Sequence, residues 1–254
     1  MNIADAFWHA WPWVGLGMGI VMLVLLFATD LLRATGCPRW RDPYWLAWAA
    51  MPAYLVHQFE EYALNVVDGN YVIIEQVFSN VSGILDLSAL PMLHFPLVNI
   101  ALVWFGVPLA AWLGRRIGNP AVALSPYGFI LVNGLMHFAM TAVRGVPVPL
   151  NPGFFTGTLV FLPLAVLAIA VCARGGYLRS GGIAAFLVAG AIAHGLLGAG
   201  YAMTAIGGPA GVVVLDVFAG LSPAILSWAF CRLFKVHYGD ALRLQGCCYE
   251  RFVA

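Results

Sequence analysis

Apolar residues run along this chain in long blocks instead of alternating with polar ones. Blocks of spanning length can be placed at Trp11–Leu32, Pro43–Val67, Phe95–Leu113, Ala121–Val143, Phe154–Ala173, Gly181–Ala205 and Pro209–Phe234. A helix rises 1.5 Å per residue, so roughly 20 such residues match the hydrocarbon layer of a bilayer. The pattern predicts an all-α, polytopic membrane helix bundle of about seven transmembrane helices. One membrane domain would occupy residues 1–234, with a short polar tail at 235–254. Between the second and third blocks, Asp68–His94 is too polar to span and too apolar to lie free in water. It reads as a lid or interfacial segment.

Composition narrows this further. Hydrophobic residues make up 62% of the chain and charged residues 9%, whereas soluble domains carry about 25% charged residues. A water-facing surface cannot be built from so few charges. The net charge of +1 provides no field that would attract nucleic acid. Met1–Ala10 lacks a basic n-region and is not read as a cleavable signal peptide.

The few charges are placed asymmetrically. Arg33, Arg39, Arg41, Arg115, Arg116, Arg174, Arg179, Arg232, Lys235, Arg243 and Arg251 fall on one face of a seven-span chain, and only Arg144 on the other. The positive-inside rule then predicts an external amino terminus and a cytoplasmic carboxyl terminus, most simply in a plasma (inner) membrane. An impermeant thiol reagent added to intact cells should therefore fail to label Cys247; labelling from outside would reverse the orientation. Cys37, Cys172, Cys231, Cys247 and Cys248 share the cytoplasmic face, where a reducing environment is expected to leave them unpaired.

Within the second block, Leu55–Leu64 reads LVHQFEEYAL. Residues three and four apart share a helix face, so His57 projects with Glu60 and Glu61. One carboxylate at mid-bilayer costs about 3 kcal/mol. Two carboxylates beside an imidazole call for shared protons, hydrogen bonds or a cation, and a divalent metal would answer both charges at once.

Three more ionisable positions lie at a comparable depth. His57, His137, His194 and Asp216 sit 13 to 16 residues from the cytoplasmic ends of their helices, or about 20–24 Å. That coincidence predicts one polar cavity in the outer half of the bilayer. Asn133, one turn before His137, is expected to orient its imidazole. His9, His94 and His237 are read as surface positions, and Asn99 as a weak candidate. Gly15, Gly19, Gly190, Gly195 and Gly198 suggest close helix packing.

These residues resemble the HXXEE family of integral membrane proteins, known by an H-x-x-E-E motif, a further histidine and a Y-x-P-G motif. Here the first is His57–Gln58–Phe59–Glu60–Glu61, and the further histidine matches His137. The third is Leu150–Asn151–Pro152–Gly153, with leucine in place of the tyrosine. The similarity spans about residues 52–173. The family is uncharacterised and has been suggested to comprise membrane enzymes, so the resemblance implies an enzyme without naming its reaction. Pro152 and Gly153 would make a tight turn at the mouth of the cavity.

A metal-dependent hydrolase is the simplest expectation. Its divalent metal, zinc favoured and iron possible, would take His57, Glu61 and His137 as ligands. Glu60 would act as the catalytic base on a water that the metal polarises. Glu61 is favoured as ligand by its i+4 spacing from His57, and the reverse assignment of the two glutamates stays open. The substrate would be a lipid or small hydrophobic molecule. A di-iron oxidase or desaturase, drawing also on Asp216 and on Glu75 or Asp86, is the first alternative. A proton-coupled transporter, or a haem-binding subunit through His137 and His194, is the second.

Overall fold

Each apolar block ends where the chain supplies a cap or a breaker. Before the second block, Asp42 accepts a hydrogen bond from the Tyr44 amide at 2.9 Å, and Pro43 occupies the first helical position. At 118, glycine closes a helix in the left-handed conformation, and Asn119 caps the next one through the Val122 amide at 3.1 Å. Arg39 donates to the carbonyls of Leu26 and Thr29 and to Asp30, satisfying the end of the first helix.

The computed structural model describes residues 3–33, 37–65, 67, 69, 93–174 and 180–235. Among them the regular structure is wholly helical. Helix α1 is Ile3–Ala28 and α2 is Pro43–Tyr62. Helix α3 covers residues 94–117, with a π-helical turn at Ala101–Gly106. Helix α4 comprises Pro120–Ala123 and, past a break at Leu124–Ser125, Pro126–Ala142. Helix α5 covers residues 154–174 and carries a π-helical turn at Gly157–Phe161. Ser180–Leu233 runs on as one element kinked at Gly208, giving α6 (residues 180–207) and α7 (residues 209–233).

All seven apolar blocks are therefore helical. Five, in α1, α3, α5, α6 and α7, contain a stretch long and apolar enough to cross a membrane, and they make this a membrane protein. Helix α2 falls short because His57, Gln58, Glu60 and Glu61 interrupt its apolar run, and α4 because its longer piece has 17 residues. Most of the Asp68–His94 segment, with Glu75 and Asp86, and the tail beyond Lys235, with His237, Cys247 and Cys248, lie outside the described residues.

Helix α2 is the axis of the bundle. It packs on α1, α3, α4 and α5, and Tyr44, Trp45, Leu46, Leu55 and His57 along it are almost fully buried. Polar atoms in this layer are matched internally. Trp45 Nε1 donates to the Leu26 carbonyl at 3.0 Å, and the Tyr127 hydroxyl donates to the Leu46 carbonyl at 2.6 Å. The outward faces of the other helices are apolar, as contact with hydrocarbon requires: Phe105, Leu159, Ile206 and Val214 are all exposed.

Several expectations change here. Gly15 and Gly19 do face α2 and Gly190 abuts Gly128 on α4, but Gly195 and Gly198 have no neighbour at the Cβ position among the described residues. Cys37 is disulfide-bonded, not an unpaired thiol. It is buried, which shields a bond there from the soluble thiols that reduce exposed cysteines.

Candidate metal centre

The i, i+4 spacing places His57 and Glu61 one above the other at the end of α2. Helix α4 brings His137 against them, with the two imidazole centroids 5.0 Å apart. Glu61 lies between the rings: Oε2 is 3.6 Å from His57 Nε2, and Oε1 is 3.8 Å from His137 Nε2. One ligand atom from each residue falls within 4.8 Å of the others, a group that can hold a metal ion. His57 is fully buried, and its Nε2 has no hydrogen-bond partner among the described residues.

The other nitrogen of each ring is engaged. His57 Nδ1 lies 2.8 Å from the Thr156 hydroxyl. His137 Nδ1 lies 3.0 Å from Asn151 Oδ1, while Asn151 Nδ2 donates to the His137 carbonyl at 2.8 Å and to the Thr141 hydroxyl at 3.0 Å. Both amide protons of Asn151 thus go to acceptors, and Oδ1 takes the proton on His137 Nδ1. Glu61 also hydrogen-bonds Tyr62, whose hydroxyl accepts from Asn99 at 3.3 Å. Oriented imidazoles with their outer nitrogens hydrogen-bonded are the usual support of a metal site.

The chain between α4 and α5 closes this centre. Gly153 has φ +88°, a left-handed conformation, and a Cβ there would lie 2.8 Å from Cε1 of both His57 and His137. Only glycine meets both demands. The π-helical turn that follows brings Phe161 onto the His57 ring, with centroids 4.3 Å apart. Such turns recur at functional sites.

Glu60, expected as the base, has other neighbours. Its carboxylate accepts from the Phe155 amide at 3.0 Å, from the Thr156 amide at 2.7 Å and from the Thr156 hydroxyl. It therefore caps the start of α5, where unpaired amides and the helix dipole favour an anion. The i+3 spacing that aligned Glu60 with His57 did not reveal which helix end would approach it.

His194 and Asp216 do not join the cluster. His194 stacks on Phe129, centroids 4.7 Å apart, eight residues before His137 on α4 and so about 12 Å along that helix. Asp216 pairs with His94, Nδ1 to Oδ1 2.7 Å, and both side chains are buried. His94 is thus an interior residue of the α3–α7 interface and not a surface one. Equal residue counts from the helix ends could not register tilt, or the break in α4. Asn133 does not orient His137; its Oδ1 has no partner among the described residues, and Asn151 performs that task. Asn151 was legible only as the unspecified position of the Leu150–Gly153 motif, and Thr156 carried no signal at all. Pro152 is buried beside Gly153.

A bundle of apolar helices that buries this group defines a polytopic membrane protein with a His/Glu site able to hold a metal. Residues 48–168 match the model of a family described as "Protein of unknown function with HXXEE motif". The resemblance carried by His57–Glu61 holds over that stretch, a little under half of the chain. Every residue of the centre lies inside it, and His194 and Asp216 lie outside. No curated protein and no solved structure matches the chain.

Proposed function

We propose that the protein is a metal-dependent membrane enzyme, most simply a hydrolase, acting on a lipid or amphiphile at His57, Glu61 and His137. The observation that carries this reading is a pair of distances. Both imidazole nitrogens lie 3.6–3.8 Å from the Glu61 oxygens, too far for a good hydrogen bond. Ligands about 2.1 Å from a tetrahedral zinc are roughly 3.4 Å apart. Each imidazole stands a few tenths of an ångström from the spacing that a cation shared with Glu61 imposes, and the three ligand atoms lie within 4.8 Å of one another.

Two imidazoles and a carboxylate are a common catalytic zinc set, with a fourth position left for substrate or water. When bound, the cation would polarise an acyl or phosphoryl oxygen. His57 and His137 would hold it as neutral ligands, and Glu61, with two oxygens, could bind through one and take a proton at the other. Glu61 and His137 keep 12% and 11% side-chain exposure, so these two ligands are less fully enclosed than His57. The centre's apolar surroundings suit a substrate that partitions into the bilayer.

A di-iron centre is less well supplied. Glu60 is committed to α5 and Asp216 to His94, which leaves Glu61 as the one carboxylate at the cluster among the described residues. A haem bridging His137 and His194 conflicts with the stacking of His194 on Phe129.

In proteoliposomes, hydrolysis of a long-chain nitrophenyl ester or a fluorescent phospholipid should stop after chelation and return with zinc. Chelation-insensitive hydrolysis, or proton flux without hydrolysis of either probe, would replace this reading with another.

A further inference from the structure

We infer that Thr156 is a positioning residue that assigns the proton on His57, and that Glu60 acts through it. This rests on the metal-centre reading and explains why the motif carries two adjacent glutamates. The Thr156 hydroxyl touches two groups, Glu60 Oε2 and His57 Nδ1. It has one proton to give and lone pairs to receive. A carboxylate that already collects the Phe155 and Thr156 amides is an acceptor only, so the hydroxyl proton goes to Glu60. Thr156 Oγ1 must then accept from His57, which places the ring proton on Nδ1. Nε2 is left with its lone pair, and it is this atom that faces Glu61 at 3.6 Å.

The chain runs from Glu60 through Thr156 to His57 and ends at the ligand atom. A carboxylate behind a ligating imidazole is a known device for fixing its tautomer and raising its basicity; here a hydroxyl is interposed. The two glutamates divide the work: Glu61 meets the cation, and Glu60 sets the ring that meets it. The same hydrogen bonds anchor the first turn of α5, so the start of that helix and the tautomer of His57 are fixed together. Asn151 does the equivalent for His137, so both rings are held by the one stretch of chain at residues 151–156.

The test compares zinc affinity of the purified full-length protein with that of Thr156→Val, Thr156→Ser and Glu60→Gln, by competition with a chromophoric chelator. Valine keeps the backbone amide to Glu60 and the shape of the side chain but lacks the hydroxyl. Glutamine keeps the length of Glu60 but cannot be an acceptor-only group. Thr156→Val and Glu60→Gln should each weaken zinc binding about 10–100-fold, and Thr156→Ser should bind close to the wild type. Wild-type affinity in Thr156→Val or in Glu60→Gln would overturn the relay. So would a Thr156→Ser variant as weak as the valine. A wild-type protein that takes up no zinc would instead bring down the metal-centre reading on which the relay stands.

Discussion

Replacement of His57 or His137 by alanine, or of Glu61 by glutamine, should abolish metal retention. Disturbing the groups behind a ligand typically costs about 10–100-fold in affinity, and removing the ligand itself should cost more than 100-fold. The three variants should differ in a second respect. An uncompensated carboxylate inside a bilayer costs about 3 kcal/mol. His57→Ala and His137→Ala leave Glu61 without its cation, and both should denature at lower temperature than the metal-loaded wild type. Glu61→Gln removes the charge as well as the cation. With metal stripped from all samples, it should be at least as stable as the wild type. If these residues only locked helices together, Glu61→Gln would be the destabilised member of the set. Thermal midpoints in detergent, with and without chelator, decide between the two outcomes.

Gly153→Ala should damage the centre without touching a ligand. At φ +88° an added Cβ is strained, by about 1–2 kcal/mol, and the same Cβ would press at 2.8 Å on Cε1 of both imidazoles. One ring or both must shift, and displacements near 1 Å in a reacting constellation cost about 100-fold in rate. Gly153→Ala should therefore lower metal affinity and turnover together. Leu150→Tyr, three residues away on an exposed side chain, should leave both unchanged. Equal behaviour of the two variants would mean that the Leu150–Gly153 turn does not shape the centre.

The contrast between these positions also shows what a linear reading can reach. Helix length and apolarity are local properties, so each expected block holds a helix, although α1 starts eight residues early at Ile3, α3 runs four residues past its block to Ile117, and α2 ends five residues early at Tyr62. His57 and Glu61 share a helix face by arithmetic, and a third ligand had to be an intramembrane histidine. The resemblance singled out His137 as that third residue, and α4 brings it to the pair. The depth argument placed His194 with His137 because it assumed straight, parallel helices, yet α4 is broken at Leu124–Ser125 and the α6–α7 element bends at Gly208. His94 looked like a loop residue because it closes the Asp68–His94 segment. The chain folds it inwards against Asp216 and the backbone of Gly200. Thr156 and Asn151 were hidden for another reason: each acts through its side chain on a histidine 99 or 14 residues away, and such pairings leave no periodic trace. Glu60 was visible as a charge in need of a partner, but its partner is a helix terminus, which has no residue type of its own.

The central claim is that His57, Glu61 and His137 surround a metal ion. It is tested most directly by elemental analysis of the purified full-length protein beside the His57→Ala variant, each supplied with zinc and then freed of unbound ions. The proposal predicts about one divalent metal per wild-type chain, from the single three-ligand cluster among the described residues, and a level near background in the variant. A wild-type protein without metal, or equal metal in both proteins, would contradict it.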